Sequence, residues 1–334
     1  MTLEATHNAR GNEILAPQRE KIKVLFIGGY LRIGSTLLDR TLGQIPGFFS
    51  AGELRHVWEE NFVEDQPCGC GVPFSECEFW REVVEETCGP ERSLDAREAV
   101  SLKRRVDRMR YIPQLASSWK SPRYREDFEA HSRNLAGLYT AIRRVADGDV
   151  IVDSSKDASY AFALANLDEI DLHVVHLVRD SRAVSHSWLR KKVKYEVAGR
   201  EEDYMDLRGP VASSVGWMRS NLLTEPLRFY AASYSRVRYE DFIVRPRPTL
   251  QRLLRAVGEE GRELPLLDDH TLRLGTNHTV AGNPNRFRRG DIELRLDEEW
   301  KEKMSRADRR TVTAMTWPLL LKYGYLSEAT SGVR

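Results

Sequence analysis

Residues Val24 to Leu38 read VLFIGGYLRIGSTLL, an apolar run feeding a glycine-bearing turn and then a helix start. That is the layout of a phosphate-binding loop. Gly29 and Gly34 bracket four residues and Ser35 and Thr36 follow, which is the frame of a Walker loop, but Ser35 stands where an NTPase carries its lysine. The missing lysine argues against chemistry at the γ-phosphate of ATP or GTP. Backbone N–H groups at a helix N-terminus favour negative charge without it, so the loop points to a nucleotide whose reactive group is a different one.

A second segment, LVRDSRAVSHSW, sets Arg179 at the end of an apolar run and Ser187 eight residues later. An arginine offers a rigid fork of donors to a terminal phosphate, and a hydroxyl on the following helix can close on the same anion. The plainer alternative for Arg179 is a salt bridge to Asp180 or another surface acid.

Taken in order, these segments resemble the sulfotransferases that use 3′-phosphoadenosine 5′-phosphosulfate (PAPS), over roughly residues 22–305. The resemblance implies that Gly29, Arg32, Ile33, Gly34, Ser35, Thr36 and Leu37 form the 5′-phosphosulfate loop. Ile33 stands where many family members have serine, so only its backbone N–H can serve. It further implies that Arg179 and Ser187 hold the 3′-phosphate, that Trp217 in SVGWMRSN stacks on adenine, and that Arg286, Arg288 and Arg289 in GNPNRFRRG cover the phosphate. Trp217 could equally be a core residue of its helix. Glu53 in SAGELRHVW looks like the carboxylate base of the tyrosylprotein branch; His56 is the second candidate, although the cytosolic branch carries its histidine at a position that does not match. Lys156, closing VDSSK, would join Arg32 in holding charge on the departing bisphosphate.

The implied reaction moves a sulfuryl group from PAPS to a hydroxyl of a small organic acceptor by in-line displacement, requires no metal, and releases adenosine 3′,5′-bisphosphate. A P-loop small-molecule kinase and a catalytically inactive nucleotide-binding relative are the alternatives.

Such residues must be positioned by strands that end at one crevice. KVLFIGG, DVIVDSSK, LHVVHLV and SYSRVRYEDF read as at least four strands alternating with helices, which implies a central parallel sheet flanked by helices, an α/β three-layer P-loop-like fold. GFFSAGELRHVWEE reads as a connector and helix, and 91–146 as a helical insertion of two or three helices interrupted around Pro113 and SWKSPR. Residues 297–326 read as a closing helix with Trp317 and several leucines facing the core. Residues 1–20 read as disordered and 21–330 as one domain.

The acceptor pocket is expected between segment 54–66, the helical insertion and 193–212. Trp58, Phe62, Tyr111, Trp119 and Tyr204 hint at an apolar or ring-bearing acceptor, though such residues are more often packing.

The 334 residues are 41% hydrophobic, with 51 basic and 50 acidic side chains giving a net charge of +1. No global field recruits nucleic acid or an anionic membrane, so any anion site is local. No run approaches the roughly 18 apolar residues of a membrane helix, and the polar N-terminus lacks a signal-peptide core, so a cytoplasmic protein is expected; a homodimer is compatible with the sequence. The four cysteines, Cys68, Cys70, Cys77 and Cys88, fall in one short stretch. Only Cys68 and Cys70 are close, at a spacing tighter than the usual zinc knuckle, so reduced thiols, a local disulfide and zinc all stay open, with reduced thiols favoured in the cytoplasm.

Overall fold

The apolar runs become the middle of a parallel sheet in the computed structural model, which describes residues 20–88, 95–190, 193–195, 203–204 and 207–326. Strand β1 (Ile22–Gly28) leads through the glycine turn into α1 (Ser35–Leu42), and β2 (Phe48–Gly52) follows. Next come α2 (Glu78–Cys88), α3 (Ala96–Val106), the short α4 (Ile112–Leu115) and the long α5 (Pro122–Ala146). Strand β3 (Val150–Lys156), α6 (Ala158–Leu164), β4 (Ile170–Val178) and α7 (Ser181–Leu189) complete two further βα units. A ribbon of β5 (Val193–Tyr195) and β6 (Asp203–Tyr204) precedes α8 (Pro210–Thr224), β7 (Ser233–Arg238), α9 (Tyr239–Val244) and α10 (Pro246–Ala256). The chain closes with the hairpin β8 (Thr271–Leu274) and β9 (Gly290–Glu293), then α11 (Trp300–Lys303) and α12 (Arg306–Lys322).

The main sheet has five strands in the order β2-β3-β1-β4-β7, every neighbouring pair parallel. Parallel strands are joined by crossovers that cover both faces, so their residues are apolar on both sides. Strand β1 obeys this: Val24 and Phe26 belong to the core that contains Leu138, Tyr139 and Ile142 of α5, whereas Leu25 and Ile27 belong to the opposite core with Leu38 and Leu42 of α1. The fold is therefore the expected three-layer α/β arrangement. Segment 91–146 supplies α3, α4 and α5 among the described residues, and α5 is the helix that packs on β1 and β3 along the β2-to-β3 crossover.

The order of winding reverses at β1, whose neighbours are β3 on one side and β4 on the other. Ligands of open α/β sheets bind at the carboxyl ends of strands beside such a reversal. Four of the sequence candidates sit there: Arg32 after β1, Glu53 after β2, Lys156 ending β3 and Arg179 after β4.

Two readings of the sequence are corrected. FFSAG, taken as part of a connector, is the edge strand β2; at five residues it is too short for an alternation to stand out. Trp317 and Leu321 are 53% and 55% exposed on α12, while Val312, Thr316, Leu319 and Leu320 are buried and carry the packing. Residues 1–19, and 196–202 and 205–206 of the expected acceptor segment 193–212, lie outside the described residues.

Candidate active site

The loop after β1 is held to the sheet by the Gly29 N–H, which donates to the Lys156 carbonyl at 3.3 Å. The turn then passes through Arg32 (φ 66°) and Gly34 (φ 87°) into α1. At Gly34 both conformation and space exclude a side chain, because a Cβ would stand 2.4 Å from the Tyr239 ring. With glycine at the cap, no side chain covers the first turn of α1, and its Ser35, Thr36 and Leu37 line a cavity of about 360 Å³ together with Arg32 and Gly34. Ile33 points the other way, into the core.

Across the cavity, Lys156 Nζ meets Glu53 Oε1 at 2.5 Å and donates to the Ser154 carbonyl at 2.8 Å. Lys156 is nearly dry and adopts φ 69° as the chain leaves β3. Glu53 is fixed from behind: its N–H donates to the Val280 carbonyl at 3.0 Å, and the Val280 N–H donates to the Ala51 carbonyl at 2.9 Å, extending the sheet edge by one bridge. Gly282, at φ 89°, completes the seat. A Cβ there would approach Glu53 Oε1 to 2.7 Å, so glycine leaves the carboxylate its place.

Beneath this pair lie two buried acids, Asp39 of α1 and Asp153 of β3. Burial pushes Asp39 up to about 8, against partial relief from the Ser50 hydroxyl, and Asp153 up to about 6, against hydrogen bonds from Ser155 and Tyr139. At neutral pH Asp39 thus keeps its proton and does not compete for the Lys156 charge. The unfolded chain releases that proton near 3.8 and the fold only near 8, so stability declines as pH rises across this window and levels off above it. Asp39→Asn is expected to flatten the decline, with a melting temperature at pH 8 at least about 2 °C above wild type and little change near pH 4; thermal melts across pH check this.

His56 also lines the cavity, 4.0 Å from Glu60. Burial, then the cations Lys103, Arg55 and Lys156, push it down to about 3, so its ring is a neutral and weakly basic imidazole. Those cations are themselves held: Arg55 by Asp107 at 2.9 Å and Lys103 by Glu59 at 2.5 Å.

On the far wall, Arg179 donates to the Arg32 carbonyl at 3.2 Å, lies 4.6 Å over the Tyr239 ring and meets Asp297 at 3.3 Å. Asp180, the partner suggested by sequence, is instead taken by Arg182 at 2.6 Å. Asp297 also binds Arg190 at 2.8 Å. Ser187, buried on α7, opens onto the same cavity.

Other candidates are placed elsewhere. Trp217 is 0% exposed, meets Tyr323 edge-on and donates its indole N–H to the Arg179 carbonyl at 3.0 Å, so it fixes the backbone of the arginine and shows no face to a base. Arg286 is buried against the Thr279 and Pro67 carbonyls, Arg289 donates to the Cys70 carbonyl at 2.6 Å, and the Arg288 carbonyl accepts from Arg40 while its residue is exposed. None of these three arginines lines the cavity; Gly282, Asn283 and Asn285 of the same segment do.

Of the aromatic acceptor candidates, Trp58 is 1% exposed in the core, Trp119 is 68% exposed, and Phe62 and Tyr111 pack against the core. The Tyr204 side chain lies outside what is described. Sequence reasoning missed Trp188 and Tyr239. Trp188 forms a wall between the guanidinium groups of Arg32 at 4.5 Å and Arg208 at 4.4 Å, and its one signal was its place directly after Ser187.

Comparison with known proteins agrees with this fold. The sulfotransferase domain of the Synechococcus PCC 7002 olefin synthase is 19% identical, covering 91% of this chain and 96% of that one with a TM-score of 0.50. The sulfotransferase domain of the curacin biosynthetic pathway is 17% identical, covering 89% and 98% with a TM-score of 0.47. No curated protein matches the chain. The model of the sulfotransferase family matches residues 25–263, well over half of the sequence, and the chain belongs to that family.

Proposed function

We propose that the protein transfers the sulfuryl group of PAPS to a hydroxyl of a small organic acceptor, with Glu53 as general base. The observation that carries this reading is the 2.5 Å pair of Glu53 and Lys156, set in one cavity with the first turn of α1 on one side and Arg179 and Ser187 on another. An uncapped helix start suits a 5′-anion, and an arginine fork with a neighbouring hydroxyl suits a 3′-phosphate.

The pair links two duties. While Glu53 is ionised it holds Lys156; when it accepts the acceptor's proton it becomes neutral, and the ammonium turns to the charge growing on the departing bisphosphate oxygen. Arg32 adds a second positive charge beside the same cavity, and Ser35 and Thr36 add donors. His56 and Glu60 bring segment 54–66 to the cavity beside Glu53, which makes that side the approach for the acceptor. Phenols, alcohols, carbohydrates and lipid headgroups all present a hydroxyl that fits this chemistry.

Calorimetry with adenosine 3′,5′-bisphosphate and with ATP and Mg²⁺ tests the donor. The bisphosphate is expected to bind more tightly, and Arg179→Ala to weaken it by about 10- to 100-fold, the value of a charge-assisted hydrogen bond, while kcat at saturating PAPS stays near wild type. Equal affinity for the two nucleotides, or an unchanged bisphosphate affinity in Arg179→Ala, would return the loop to an unassigned anion site and the arginine to a simple ion pair with Asp297.

A further inference from the structure

Away from the cavity, Cys68, Cys70 and Cys77 converge with His278, which lies 201 positions beyond Cys77 in the chain. The sulfurs of Cys68 and Cys77 are 3.6 Å apart and those of Cys70 and Cys77 3.7 Å apart. Nδ1 of His278 stands 3.3 Å from the Cys77 sulfur and 3.7 Å from that of Cys68, and all four ligand atoms lie within 4.8 Å of one another. A disulfide would need about 2.05 Å between sulfurs, and these three cysteines are thiols. A tetrahedral ion with bonds of about 2.3 Å to sulfur and about 2.0 Å to nitrogen sets edges of roughly 3.8 and 3.5 Å, close to these separations.

The surrounding backbone is arranged for ligation. Cys68 N–H donates to the Val72 carbonyl and Gly71 N–H to the Cys68 carbonyl, both at 2.8 Å, so the chain reverses tightly enough to bring Cys68 and Cys70 to one side despite their short spacing. The His278 ring stacks on Phe79 at 5.0 Å and its carbonyl accepts from the Trp80 indole at 2.8 Å, which fixes the imidazole toward the sulfurs. A bound divalent cation holds its cysteine ligands as thiolates. Three thiolates and an imidazole are soft ligands that suit zinc and do not suit Mg²⁺ or Ca²⁺.

We propose that Cys68, Cys70, Cys77 and His278 hold one zinc ion as a closed, four-ligand structural site. Its place in the fold gives it a task. The ion would clamp the cysteine turn to the segment that continues as Thr279 and Val280, already joined by the Gly69 N–H to the Thr279 carbonyl at 2.9 Å. That segment is the one bridged to β2 and seated against Glu53 through Gly282. The ion therefore braces the back of the site without entering it. Reactivity of the cavity and identity of the donor play no part in the assignment.

Elemental analysis of the full chain, purified in reductant without chelator, is expected to give one zinc per molecule. Replacement by Co²⁺ should produce the thiolate-to-cobalt charge-transfer and tetrahedral ligand-field bands. His278→Ala should lose the metal and melt several degrees lower; His278→Cys, which restores four ligands and guards against a mere folding failure, should keep it. Protein that stays zinc-free after refolding with excess Zn²⁺ and reductant overturns the proposal. So does a mononuclear iron chromophore in its place, or a disulfide among these cysteines in anaerobically purified protein.

Discussion

In Glu53→Gln, turnover is expected to fall by about 10²- to 10⁴-fold, the range spanned by a positioned general base, while affinity for adenosine 3′,5′-bisphosphate should stay within about threefold of wild type. The amide keeps the size of the carboxylate in the narrow seat formed by Gly282 and the Val280 strand and loses only its ability to take a proton. Steady-state kinetics and calorimetry on one preparation separate the two effects. The loss should shrink as the acceptor hydroxyl becomes more acidic, because such an acceptor needs less help to ionise. Undiminished turnover with a weakly acidic alcohol would remove Glu53 from the role. His56 is a poor replacement, since burial and three cations keep its ring neutral and weakly basic.

Lys156→Met is expected to cost about 10²- to 10³-fold in kcat, the scale of one donor lost from a developing negative charge, with a smaller change in the KM for PAPS. It should also lower stability, because Glu53 is left in its narrow seat beside the buried Asp153 without its cation. The double variant Glu53→Gln, Lys156→Met removes both charges and should recover most of the lost melting temperature with no return of activity. That divergence reads the coupling between the two side chains directly. Recovery of neither quantity would mean that Lys156 serves the fold through its bond to the Ser154 carbonyl and not through Glu53.

Much of this arrangement was legible in the chain. The apolar runs of β1, β3 and β4 are continuous because parallel strands are buried on both faces, and glycine at position 34 is demanded by a left-handed turn packed on Tyr239. Residues that follow directly on such strands, Arg32, Lys156 and Arg179, inherit their places from the topology. What could not be read is direction where no period constrains it. In NPNRFRR the asparagines reach the cavity, Arg286 and Arg289 bind carbonyls elsewhere and Arg288 is exposed, whereas composition alone favours the arginines. Trp217 shows a further limit: a tryptophan in a helix fits core and ligand platform equally until its indole partner is known. The convergence of His278 with the cysteines spans 201 positions, beyond any reading of local spacing.

The acid bridging Arg179 and Arg190 has a consequence for selectivity. Asp297 pairs with both guanidinium groups and Glu299 takes a share of Arg190, so the far wall is no bare cationic trap. A lone inorganic sulfate or phosphate would have to evict a carboxylate that is covalently tethered beside its partners, for little net electrostatic gain. A ligand that grips the α1 end of the cavity at the same time brings its own tether, and only such a two-ended anion competes on even terms. On the proposed reading, the wall would discriminate against small oxyanions and favour a guest long enough to span the cleft.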